Sequence, residues 1–162
     1  MKIDVHTHIF PPEIVADRGP FFTGEPVFES LYSSPKATLS TAEALIRAMD
    51  EAAIDCSVAF GFPWQSTALV RRHNDYVLES AAKYSSRLVP LGCVNPLSKN
   101  AVEESDRVMQ AGAAGLGELA IYGRCDETSA LDCYQRVIDC CRSYNGILLI
   151  HANEPVGHSS PG

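Results

Sequence analysis

Apolar residues in this chain fall into two rhythms that alternate. Short continuous apolar runs occur at residues 56–62 (CSVAFGF), 88–94 (LVPLGCV), 114–119 (AGLGEL) and 147–151 (ILLIH). Runs of this length, closed by Pro63, Asn95-Pro96 or the chain's next polar stretch, read as buried strands. Between them lie amphipathic segments with apolar residues at helical spacing. One follows Ser40 or Thr41, with Glu43 placed three residues after Ser40 as in a capping box. Others cover about 67–84, start near Asn100 and end at Gly112, and start at Ser129 with Leu131, Tyr134, Val137, Ile138 and Cys141 on the buried side. A further strand opens the chain at Ile3-Asp4-Val5 and reads as buried.

The pattern is one strand followed by four helix–strand units. Apolar strands alternating with amphipathic helices imply a parallel sheet covered by helices. Two architectures satisfy that: an open doubly wound sheet and a (β/α)8 barrel. A nucleotide-binding open sheet would carry a glycine-rich turn after its first strand. Here that turn is His-Thr-His-Ile-Phe-Pro-Pro, which favours the barrel. Residues 10–38 interrupt the alternation with several prolines and glycines and with Phe21, Phe22, Phe28 and Tyr32. A connection this long is usually functional or disordered, and its aromatic content predicts a folded loop that covers a substrate.

Composition narrows the function classes. The 162 residues are enough for one domain with a real core, and 46% hydrophobic with 20% charged residues is ordinary for a soluble globular protein. A net charge of −7 argues against a nucleic-acid footprint. No apolar run approaches the ~20 residues of a membrane helix. The six cysteines include no CxxC pair and fall in strand-like or helical runs, so reduced, buried thiols in a cytoplasmic protein are expected rather than disulfides or a zinc ribbon.

Active sites of parallel α/β folds lie at the carboxyl ends of the strands. The residues that fall there are chemically reactive. His6 and His8 close the first strand, and alternation puts Asp4, His6 and His8 on one face. Glu118 stands in the fourth strand and His151 ends the fifth, with Asn153, Glu154 and His158 beyond it. Two imidazoles one residue apart, with a third imidazole and a carboxylate from distant strands, are a metal-ligand set. Each member also has a plainer reading. His151 can be a satisfied core histidine, Glu118 a solvated strand-end acid, and His158 loop filler. Asp4 can be a partner of a histidine or a solvent-facing acid. Trp64 and Phe62 can wall a pocket or pack a core, and His73 reads as structural or surface.

His6-Thr7-His8, Gly117-Glu118 and His151, in this order, resemble the amidohydrolase superfamily, and the stretches DVHTHIFPPE, VPLGCVNP, GLGELAIYG and IHANEPVGH are similar to its amidohydrolase-related group (Amidohydrolase 2), which includes decarboxylases. The resemblance spans essentially the whole chain. It implies a (β/α)8 TIM-type barrel with a divalent metal at the strand ends, commonly zinc, with manganese the other candidate. His6, His8 and His151 match metal ligands. Glu118 stands where relatives carry a lysine carbamate or a glutamate ligand; with His158 it is also a candidate catalytic group. The family pattern continues to a histidine on strand six and an aspartate on strand eight. A barrel of this type runs to about 250 residues, so the expectation is a single domain over 1–162 holding about five of eight βα units, truncated after strand five.

The activity implied is hydrolysis of a small-molecule amide, ester or lactone through a metal-activated water, impaired in a truncated chain. The alternatives are a decarboxylase of the same group, a TatD-like deoxyribonuclease, and a non-catalytic remnant that needs a partner for the missing strands. The partners implied are a small-molecule substrate and either a second copy or a complementing C-terminal fragment, with no nucleic acid and no membrane.

Overall fold

The computed structural model describes residues 1–121 and 127–151. Strands β1 (Ile3–His8), β2 (Cys56–Phe60), β3 (Leu88–Gly92), β4 (Gly115–Leu119) and β5 (Ile147–Ile150) form one sheet in chain order, every adjacent pair parallel. Helices α1 (Pro12–Ala16), α2 (Pro26–Tyr32) and α3 (Ala42–Ala52) lie between β1 and β2. Helices α4 (Thr67–Lys83), α5 (Ala101–Gln110) and α6 (Glu127–Ser143) make the next three crossovers. A doubly wound sheet reverses its strand order at a switch point. This sheet never reverses, so it is a curled half of a (β/α)8 barrel. None of the described helices is long and apolar enough to cross a membrane.

Local chemistry sets the helix ends. Thr41 caps α3, its side chain accepting from Ala44 N at 3.2 Å. The cap thus falls one residue after Ser40, and Glu43 is released to pair with Lys83 at 2.8 Å rather than to close a capping box. Ser66 caps α4 in the same way through Leu69 N. Helix α6 begins at Glu127, so Ser129 is inside it and not its cap. Val137 and Cys141 are buried, but Leu131 is 68% exposed. At 100° per residue it stands about 120° round the helix from Val137, off the packed stripe.

The first strand is not buried. Ile3 and Val5 are 48% and 64% exposed; among the described residues β1 is an edge strand that pairs with β2 alone. At the other edge, Ile147 of β5 is 52% exposed. The described cysteines are free thiols; Cys93 and Cys141 are buried, Cys56, Cys133 and Cys140 are half-buried, and Cys125 lies outside the described residues.

Residues 10–38 fold, as their aromatic content implied, into α1, a 3-10 turn (Gly19–Phe21) and α2. Phe10, Ile14 and Phe28 join Phe62 and Trp64 in the larger core cluster. Phe28 and Trp64 have ring centroids 4.4 Å apart. A buried carboxylate anchors the excursion. Glu25 accepts from Gln65 N at 2.8 Å and Ser66 N at 2.7 Å. A buried charge is costly unless paired. Here the amides at the start of α4 supply two hydrogen bonds to an ionised acceptor and the positive end of a helix dipole.

His73 is structural and deeply buried. Trp64 Nε1 donates to its Nδ1 at 2.9 Å, which leaves the proton on Nε2 to donate to the Ile9 carbonyl at 2.6 Å. The two bonds join α4 to the segment that leaves β1. Burial depresses the pKa of His73 to about 4, outweighing the Ile9 hydrogen bond, which raises it. The unfolded chain therefore takes up the proton first as pH falls from the ordinary 6.5. This stability is present above that value and is lost on the way down to about 4. The expected outcome is a loss of about 2 kcal/mol between pH 7 and pH 5 that is absent from His73→Gln, read by urea unfolding of both proteins. Parallel pH profiles for the two would contradict this account.

Candidate metal centre

β1 and β4 are not adjacent in the sheet, yet their side chains meet across the inside of the curl. His6 Nε2 lies 3.6 Å and His8 Nε2 3.5 Å from Glu118 Oε2. His151, just past β5, places Nδ1 2.8 Å from the other oxygen, Oε1. Three sequence-predicted histidines thus surround one carboxylate. His6, His8 and Glu118 each offer one ligand atom, and these atoms lie within 4.8 Å of one another. His158, Asn153 and Glu154 lie outside the described residues.

The strand backbones deliver these residues with local irregularities. Along β1 and β2 the register slips by one residue between Asp4 and Thr7, the stretch that holds His6. Along β4 and β5 it slips between Leu116 and Leu119, the stretch that holds Glu118. Slips of this kind re-aim side chains at barrel rims. The peptide between Gly117 and Glu118 is cis. Gly117 has φ +157°, and a Cβ there would stand 2.5 Å from Leu149 Cβ. The glycine is what lets β4 lie this close to β5 beside the carboxylate.

A hydrogen bond fixes the ring of His8. The Gly61 carbonyl, 2.8 Å from His8 Nδ1, can only accept, so Nδ1 carries a proton and, in the neutral imidazole, Nε2 turns its lone pair toward Glu118. Both imidazoles lean edge-on against Phe60, at 5.1 and 4.5 Å. Asp4 does not reach an imidazole; its carboxylate accepts from the backbone N–H of His6 at 3.1 Å. Cys93, buried at the end of β3, donates from Sγ to the Glu118 carbonyl at 3.3 Å. Trp64 and Phe62 are core residues rather than an open wall.

Electrostatics make Glu118 a firm anion. Burial raises its pKa, but the imidazoles in their protonated form outweigh that, His8 and His151 by hydrogen bonding and His6 and His8 by charge, and bring it down to about 2. The donor set suits a cation. A neutral His8 Nε2 and the carboxylate are both acceptors, and a positive ion between them reconciles the contact. Ligands at ~2.1 Å around a tetrahedral ion stand roughly 3.4 Å apart; the two separations to Glu118 Oε2 are 3.6 and 3.5 Å.

No family model and no curated protein matches the chain. Solved structures do. A manganese-bound 5-carboxyvanillate decarboxylase from Novosphingobium aromaticivorans matches with TM-score 0.71 at 20% identity, over 93% of this chain and 50% of its own. An amidohydrolase II matches with TM-score 0.65 at 20% identity, over 96% and 51%. A probable 2-pyrone-4,6-dicarboxylic acid hydrolase from Acinetobacter baumannii matches with TM-score 0.53 at 17% identity, over 93% and 49%. The chain spans about half the length of the structures it matches. At these identities the likeness is one of fold, and the fold is that of amidohydrolase-type barrels, as the motifs implied.

Gly117→Ala combines a positive φ with a Cβ that overlaps Leu149, so it should destabilise the chain by roughly 3 kcal/mol in urea unfolding. Gly24→Ala is the control: φ is +78° but nothing lies within 4 Å of its Cβ, so only the backbone term applies. Equal losses in the two variants would mean that β4 and β5 are not in the close contact described.

Proposed function

We propose that this chain is the metal-binding half of an amidohydrolase-type enzyme, acting on a small molecule through a divalent metal held by His6, His8 and Glu118, with His151 as a further ligand or as the brace of Glu118. The observation that carries the reading is the convergence of two imidazoles and a carboxylate, 110 or more residues apart in sequence, with ligand atoms inside 4.8 Å. The donor set of imidazole nitrogens and a carboxylate oxygen suits zinc and manganese alike. A structure of similar fold contains manganese, which supports including that ion beside zinc.

When bound, the metal would polarise a substrate oxygen and lower the pKa of a water to about 7. The chain's own groups have separable tasks. Gly61 orients His8 through Nδ1. Glu118 keeps its charge at any pH near neutrality. That suits it to holding a cation and makes it a poor match for general-base work, which favours a pKa near the operating pH. The proton-transfer role that the sequence assigned to Glu118 or His158 is therefore better sought elsewhere than on Glu118. The folded stretch 10–38 stands on the same rim as a cover for the substrate.

The reaction we favour is hydrolysis of an amide, ester or lactone. Decarboxylation is the second reading, supported by the fold likeness to 5-carboxyvanillate decarboxylase. Turnover by a whole enzyme of this kind is part of the proposal, since the chain corresponds to half of each similar structure.

The decisive test is metal content. Purified chain should hold close to one equivalent of zinc or manganese, and His6→Ala/His8→Ala should hold none. Glu118→Gln, which keeps the shape and removes the charge, should weaken binding at least tenfold. Folded, monodisperse protein that takes up neither ion at micromolar concentration would refute the reading.

A further inference from the structure

Tyr32 ends α2, and its ring is held by three phenylalanines. The centroid distances are 4.9 Å to Phe28, 5.6 Å to Phe10 and 6.2 Å to Phe62. Phe62 leaves β2 two residues after Phe60, the ring against which His6 and His8 lean. Phe62 follows the carboxyl end of β2 as His8 closes that of β1, so Tyr32 stands at the end of the sheet that carries the cluster. The phenol is largely buried there and feels the Glu118 carboxylate; burial first and that charge second raise its pKa, so it keeps its proton.

Three other tyrosines spend their hydroxyls on the fold. Tyr76 accepts from Ala42 N at 2.8 Å, Tyr134 donates to the Leu119 carbonyl at 3.4 Å, and Tyr144 donates to Asp106 at 2.6 Å. The Tyr32 hydroxyl makes no hydrogen bond among the described residues. A phenol that is neutral, mostly out of water and beside a charged site is a hydrogen-bond donor without a structural task. Its ring is already immobilised by packing, so a bond made by its hydroxyl costs little further side-chain entropy.

We propose that Tyr32 is a substrate-contacting residue whose hydroxyl donates a hydrogen bond to an anionic oxygen of the small molecule bound at the His6–His8–Glu118 cluster. The inference rests on the metal-centre reading above and goes beyond it by assigning a task to the stretch between β1 and β2. It gives a reason for a connection of this length to be built round a stack of rings: the stack holds one phenol in place.

The test uses the manganese-loaded chain and 3-methoxy-4-hydroxy-5-nitrobenzoate, a coloured anion whose acid accompanies manganese in a structure of similar fold. Tyr32→Phe keeps the ring in its stack and deletes only the hydroxyl; Tyr144→Phe is the control. Manganese affinity should stay within twofold of wild type in both variants, and the melting temperature of Tyr32→Phe should be unchanged. Absorbance titration should show nitrobenzoate binding weakened about tenfold or more in Tyr32→Phe alone, the size of one hydrogen bond to a charged group. Equal nitrobenzoate affinity in wild type and Tyr32→Phe overturns the proposal, as does a manganese-loaded wild type that ignores the anion. A wild type that binds no manganese overturns the metal-centre reading itself, which keeps the two failures distinguishable.

Discussion

One carboxylate holds the functional end of this half-barrel together. Glu118 is mostly buried, and its two oxygens face different strands: Oε2 meets the histidines of β1, and Oε1 meets the histidine after β5. β1 and β5 are the edges of the described sheet, each paired with one neighbour. The charge on β4 therefore ties both edges to the middle from inside the curl. Burial alone would drive this acid toward neutrality. The imidazoles reverse that, and the anion in turn favours any cation placed among them. Charge, curvature and ligand geometry are consequences of the same contact.

Much of this was legible in the sequence because hydrophobic burial writes periodic signals. The apolar runs at 56–62, 88–94, 114–119 and 147–151 all became strands, three of them trimmed by one or two residues at the carboxyl end and the run at 114–119 by one residue at its amino end. His6, His8, Glu118 and His151 could be gathered because strand ends of parallel sheets share one rim. What escaped is what periodicity does not encode. The exposure of Ile3 and Val5 depends on which strands flank β1, a property of the sheet and not of the segment. Nothing in the local sequence marks the Gly61 carbonyl as the group that sets the tautomer of His8. Glu25 looks like any surface acid until α4 brings two backbone amides to it. Leu131 belongs to an amphipathic helix, yet it sits off the stripe that packs.

The bland alternatives weighed for each residue separate along one physical line. Residues whose polar atoms are satisfied by the fold are structural. His73 gives one nitrogen to Trp64 and the other to Ile9, and Asn74 brackets Cys93 with its side-chain amide and carbonyl. The residues of the cluster are different, because each also turns a nitrogen or oxygen toward another member of the cluster. Two of the histidines point nitrogens at the same oxygen from 3.6 and 3.5 Å, long for a hydrogen bond. A structural network would close those gaps; a ligand set leaves room for an ion.

The stretch between β1 and α3 then has a mechanical reading. Its backbone is tied at several points: Phe10 N bonds the Ser40 carbonyl, Arg18 holds the carbonyls of Ser34 and Ala37, and Glu25 grips the start of α4. These ties close the excursion on itself and fasten it to the helix that follows β2. Phe28 fills the space between, against Trp64 and Phe62. A loop tethered in this way cannot sweep widely without breaking a buried ion's hydrogen bonds, so what it contributes at the rim is position. Tyr32, the last residue of its second helix, inherits that position. Loops that serve as lids are usually weakly packed; this one is packed as core, which fits a fixed wall with one polar group better than a moving cover.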